Sequence, residues 1–136
     1  MTDTTPLFRN IDCLGVQVPD VGKALAFYQQ QLGHRLLWRT ETSAGLALRD
    51  ADPIPELVLH TDVWPIATAI KVDAVPAAVE RFVAAGGHVV DGPLEIPIGR
   101  LAVVADPWNN HLVLLDSSQG VYQTDAEGNV TGVAQE

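Results

Sequence analysis

The residues best equipped for chemistry sit in two short apolar runs. Glu56 and His60 bracket the first, ELVLH, and His111 opens the second, HLVLL. If both runs are strands, Glu56, Val58 and His60 share one face, and His111 shares a face with Val113. A carboxylate beside an imidazole is minimal equipment for general acid–base work, and one Glu with two His could hold a divalent cation. The spacing matches no recognised ligand pattern, and histidines at strand ends are commonly solvated. Polar residues of a cleft or of the surface are therefore the preferred reading, with an improvised metal site as the alternative.

Cys13 is the single cysteine and lies within the strand-like IDCLGVQV. That setting suits a small buried hydrophobe better than an activated thiolate. A lone cysteine excludes an internal disulfide and a thiolate-rich zinc site, and it fits a reducing cytoplasm. No glycine-rich phosphate loop precedes a helix, because Gly86-Gly87 ends one instead, and no G-x-S-x-G elbow is present. Three tryptophans offer large flat surfaces: Trp38 on an edge strand, Trp64 in a linker, and Trp108 after an Asp-Pro step. Each can stack on a planar ligand or pack at an interface, the second being preferred for Trp64.

An internal repeat supplies the elements that position these residues. Shifting the chain by 54 residues superposes nine identities: Val18/Val72, Val21/Val75, Ala24/Ala78, Gly33-His34/Gly87-His88, Gly45/Gly99 and Ala51-Asp52-Pro53/Ala105-Asp106-Pro107. One extra residue in the second copy then aligns Leu57-Val58-Leu59 with Leu112-Val113-Leu114. The recurrence of His34 and His88 after glycine marks a structural role for both. Each copy opens with a strand, 11–18 or 67–72, and continues into helical spacing. Val21, Ala24, Leu25, Tyr28 and Leu32 share one helical face, as do Val75, Ala78, Val79 and Phe82. Asp20 is a good N-cap, while Ala74 replaces it in the second copy, where Asp73 or Pro76 can serve. Gly33 and Gly86-Gly87 supply the left-handed ends. Further strands are expected at 34–41, 45–50 and 56–61, and at 87–91, 99–105 and 111–115. The chain is thus an α+β protein of two βαβββ modules, 11–61 and 67–116. In the extension 117–136, Val121–Thr124 and Val130–Val133 can pair across 125–129, or the extension can fray.

Composition bounds the function. With 136 residues, 47% of them hydrophobic, a single compact domain is expected. Such a domain buries roughly 70% of its unfolded surface. Seventeen acidic residues against eight basic ones, a net charge of −9, exclude the clustered positive charge that nucleic acid needs. No apolar run approaches the ~20 residues of a membrane span, and the first ten residues hold no signal-peptide core, so a cytoplasmic location is expected. Acidity is a weak hint of a cationic ligand, because it also serves solubility.

Paired modules of this size carrying VQVPDVGKALAFYQQQLG at 16–33, KVDAVPAAVERFVAAGG at 71–87 and GRLAVVADPWNNHLVLL at 99–115 resemble the vicinal oxygen chelate superfamily. That superfamily includes glyoxalase I, extradiol dioxygenases, and fosfomycin- and bleomycin-resistance proteins. The resemblance implies curved mixed sheets enclosing a cleft, with helices on the outer face and frequently a homodimer. It places metal ligands on the first and last strands of each module. In this sequence those positions are Cys13, Val58, Ala67 and Val113, and Ala and Val offer a cation nothing. The expected protein is a metal-free member that binds a small organic molecule, planar or cationic, as a sequestering or resistance-type binder. By strand parity the cleft lining is Cys13, Gln17, Glu56, Val58, His60, Ala67, Lys71, His111 and Val113, with Trp38 and Trp108 added as stacking surfaces. The alternatives are a superfamily enzyme, a glyoxalase-like lyase or isomerase or a dioxygenase, with non-standard ligands, or an interaction module without a dedicated ligand.

Overall fold

The repeat is realised as two modules joined into one sheet. The computed structural model describes residues 5–49, 55–62 and 68–135. The first module is β1 (Asn10–Gln17), α1 (Val21–Leu25), β2 (Leu36–Arg39), β3 (Ser43–Ala47) and β4 (Glu56–His60). The second is β5 (Thr68–Lys71), α2 (Val75–Ala84), β6 (His88–Ile96), β7 (Gly99–Ala105) and β8 (His111–Leu115). The extension forms a separate hairpin of β9 (Val121–Thr124) and β10 (Val130–Ala134).

Eight strands run in the order β2-β3-β4-β1-β5-β8-β7-β6. The sheet is mixed: β1 is parallel to β4 and β5 to β8, and all other neighbours are antiparallel. The modules meet within the chain, where β1 pairs antiparallel with β5. At that seam Ile11 faces Ile70 and Cys13 faces Ala69, so Asp12 is an extra residue and the register shifts. A bulge of this kind lets two successive side chains leave the strand toward the same side.

Two local departures from the sequence pattern have clear causes. Asp20 caps α1 by accepting from the Lys23 amide (2.8 Å), but over Ala26–Gln31 the helix widens into π geometry. The wider turn rotates Leu32 off the apolar stripe and leaves it 53% exposed, whereas Tyr28 stays packed on the core. The second strand of the second module, β6, extends to Ile96, well past the expected end at 91. It does so by accepting register shifts around Asp91, where Gly92 adopts a φ of 87°.

The helices bury one face of the sheet. Val21, Ala24 and Leu25 of α1 pack on Ala44, Leu46, Leu57 and Leu59. Val75, Ala78 and Val79 of α2 pack on Ala102, Val104 and Leu114. A third cluster, Ala69, Val103, Val113 and Leu115, occupies the opposite face, as strand alternation requires.

The cap of α2 is neither Asp73 nor Pro76 alone. Asp116, 1% exposed, reaches across from the end of β8, and its Oδ2 accepts the Val75 amide at 2.7 Å. Its Oδ1 accepts from the Arg100 amide (2.9 Å) and from the Ser118 hydroxyl (2.8 Å) and amide (3.2 Å). A methyl on Gly99 would overlap this carboxylate, which explains the glycine there. Burial alone would raise the Asp116 pKa, but these donors outweigh it and hold the carboxyl below its usual range. The stability it contributes is therefore present above the ordinary aspartate range and lost as pH falls below it. Asp116→Ala should cost about 3 kcal/mol in urea unfolding at neutral pH, with the deficit shrinking in acid. An unchanged urea midpoint at pH 7 would contradict this role.

Candidate functional site

Opposite the helices lies a cleft of about 570 Å³, floored by Cys13, Gly15, Val58, Ala69, Val113 and Leu115. These residues come from β1, β4, β5 and β8, the four strands flanking the seam. Parallel pairing of β1 with β4 sets Cys13 beside Glu56 and Gly15 beside Val58. Parallel pairing of β5 with β8 sets Ala69 beside Val113. Apolar side chains predominate, as is usual for small-molecule sites.

Polar groups from both modules rim this floor. Glu56 Oε1 accepts a hydrogen bond from the Trp38 indole Nε1 at 2.6 Å. The pair fits only because position 45 is glycine: a Cβ there would overlap both the indole nitrogen and the carboxylate. Burial raises the Glu56 pKa, the Trp38 bond opposes the rise, and the nearby Asp12 carboxylate adds to it. Asp12 is also raised by burial, with Lys71 pulling the other way. Lys71 donates from Nζ to Ser117 Oγ at 2.6 Å. Burial, reinforced by Asp12 and Glu56, pushes the Cys13 thiol up to about 12. His60 donates from Nδ1 to the Asp62 carbonyl at 3.1 Å. The Tyr122 ring lies 4.9 Å from the Trp38 ring at 45° and adds an aromatic wall.

Of the residues singled out by strand parity and aromatic character, Cys13, Trp38, Glu56, Val58, His60, Lys71 and Val113 line the cleft. Gln17 lies outside it, beside a small surface depression with Val18 and Thr61. His111 is exposed and turned to Asn109 Oδ1 (3.3 Å), because it starts β8 at the rim rather than over the floor. Trp108 is 80% exposed on a turn that Asp106 organises through the Trp108 and Asn110 amides. Ala67 and Trp64 fall outside the described residues. Asp12 and Tyr122 also line the cleft and escape the parity argument. The bulge turns Asp12 inward against the alternation, and Tyr122 arrives from the extension. The paired runs at 121–124 and 130–133 hold the one sequence signal for Tyr122, and no pattern marks the bulge.

The metal positions implied by the resemblance do not suit a divalent cation. Cys13 carries a thiol held protonated at neutral pH, and Val58 and Val113 present hydrocarbon. The methyl of Ala67 has no donor to give. Glu56, His60 and His111 do not converge, and among the described residues no group of three His, Cys, Asp or Glu could hold an ion.

Two βαβββ modules joined into one mixed sheet, with a cleft on its open face, define the fold class. Within that class, the chain belongs to the Glyoxalase/Bleomycin resistance protein/Dioxygenase superfamily, whose model matches residues 10–114. Methylmalonyl-CoA epimerase from Mycobacterium tuberculosis is similar, with 17% identity and a TM-score of 0.64 over 86% of this chain and 93% of that one. So is the Mn(II)-bound glyoxalase from Novosphingobium aromaticivorans, at 19% identity and a TM-score of 0.57, over 96% of this chain and 42% of that one. Homoprotocatechuate 2,3-dioxygenase from Brevibacterium fuscum gives 21% and 0.55, over 85% and 39%. These likenesses establish the fold. No curated protein matches the sequence significantly.

The thiol of Cys13 provides a direct check on the electrostatics of the floor. At pH 8 iodoacetamide should modify it at least about a hundredfold more slowly than a peptide thiol, and unfolding in urea should abolish the difference. Equal rates in the folded protein would mean that the floor is neither as dry nor as negative as described.

Proposed function

We propose that the cleft binds a small organic molecule with a flat apolar body and a cationic group, without a metal, and that the protein acts by sequestration. The observation that carries this reading is the pairing of hydrocarbon at Val58 and Val113, two of the family's metal positions, with two carboxylates, Asp12 and Glu56, beside the Trp38–Tyr122 aromatic pair. The floor rewards an apolar body, the aromatic pair a planar one, and an ionised carboxylate in a part-dry cleft a positive charge. Sequestration needs no reacting group, so it accommodates a floor of Cys, Gly, Val and Ala. In this reading the protein is a cytoplasmic homodimer, as the single cysteine and the family resemblance suggest. A monomeric mass by sedimentation would contradict the dimer.

One observation favours the enzyme reading. Two carboxylates with raised pKa values in one cleft are suited to proton transfer. A superfamily lyase or isomerase working through Asp12 and Glu56 is the second reading. It differs from the first in predicting turnover rather than stoichiometric binding.

N-Butylpyridinium, a planar cation, is a suitable probe. It should quench Trp38 emission saturably and raise the melting temperature. Trp38→Phe should remove the quenching, and Trp108→Phe should leave it. Affinity should fall roughly tenfold in Glu56→Gln. Cation binding needs the ionised acids, whose pKa values burial raises, so affinity should climb as pH rises through a range above that of ordinary carboxylates. Protein purified without chelator should contain no stoichiometric Ni, Zn, Mn or Fe. A full equivalent of any of them, lost in Glu56→Ala/His111→Ala, would overturn the metal-free reading.

A further inference from the structure

The family match ends at residue 114, yet Val121, Tyr122 and Thr124 line the cleft. The hairpin that carries them is fixed at both ends. At its root Asp116 is buried under four hydrogen bonds, and the Gln119 amide donates to the Ile98 carbonyl at 2.8 Å. At its far end the Arg39 amide donates to the Gly128 carbonyl at 2.8 Å, and Arg39 bridges to Asn129. The β9–β10 turn is prebuilt, because Asp125 Oδ1 accepts the amides of Glu127 and Asn129, both at 2.9 Å. Between these anchors Tyr122 lies on Trp38, whose indole nitrogen in turn holds Glu56. The hairpin thus meets the first module at Trp38 and Arg39 of its free-edge strand β2, and it walls that end of the cleft.

We propose that Tyr122 is a specificity-determining residue, which limits the length of ligand that the cleft admits at the β2 end. The proposal rests on the binding reading and gives it a size rule. A wall held at both ends cannot swing aside as a ligand grows, so the limit is set by the side chain that projects from it. Because Tyr122 packs on the ring that holds Glu56, the limit lies close to the carboxylate that would receive a cationic group.

N-Alkylpyridinium ions from butyl to decyl test this on the full chain, with binding read by tryptophan quenching. While the tail lies on apolar floor, affinity should rise about fourfold per methylene. It should then stop rising at one chain length in the wild type. Tyr122→Ala should move that break outward by at least two carbons, Tyr122→Leu should move it less, and Tyr122→Phe should leave it in place. Each variant's melting temperature is measured alongside, so Tyr122→Leu carries the comparison if Tyr122→Ala does not fold. Glu56→Gln should weaken every member by a similar factor without moving the break. A break that stays put in both Tyr122→Ala and Tyr122→Leu overturns the size rule alone. Failure of every member to bind the wild type overturns both the size rule and the binding reading.

Discussion

The antiparallel pairing of β1 with β5 is the constraint on which the rest of the molecule depends. It joins two similar modules into one eight-stranded sheet and brings four strands side by side beneath a common face. Backbone groups at this seam must find partners in each other, because strands flank both sides. The pairing tolerates one surplus residue, and that residue is Asp12. A second carboxylate thereby joins Glu56 on the cleft face, next to Cys13 and in electrostatic contact with Glu56.

From that arrangement follow the electrical properties of the cleft. Asp12, Glu56 and Cys13 all favour their protonated forms more than they would in water, with burial as the leading cause for each. Lys71 is the cation that tempers Asp12, and its ammonium is engaged by Ser117. In the proposed reading, a cleft so composed favours a positive ligand group over a negative one. Glycine has a matching use in both modules. Gly45 leaves room for Glu56 and Trp38, and its repeat equivalent Gly99 leaves room for Asp116. One carboxylate looks into the cleft, and the other locks the root of the hairpin that walls it.

Much of this was legible in the sequence, and the exceptions share a cause. The repeat, the capping Asp20, the left-handed Gly33 and the strands of the sheet are local signals, and the structure contains them. Alternation puts Glu56 and His60 on the face of Val58, and in the structure all three line the cleft with Cys13. It fails for Gln17 and His111, which keep the parity but lie beyond the floor. It misses Asp12 because a bulge is decided by the partner strand's register, and it misses Tyr122 because docking of the hairpin depends on the exposed edge of β2. The cap of α2 from Asp116 is equally invisible, since 41 residues separate donor from acceptor. Contacts made across the fold, not the local pattern, account for each omission.

A crystal structure of the protein grown with N-butylpyridinium, with anomalous data collected for transition metals, tests the central claim most directly. The account predicts the ring stacked in the cleft at Trp38, its charged nitrogen turned toward Glu56 and Asp12, and no anomalous peak among Cys13, Val58 and Val113. A metal peak at those positions, or a probe seated away from the β1–β5 face, would contradict it.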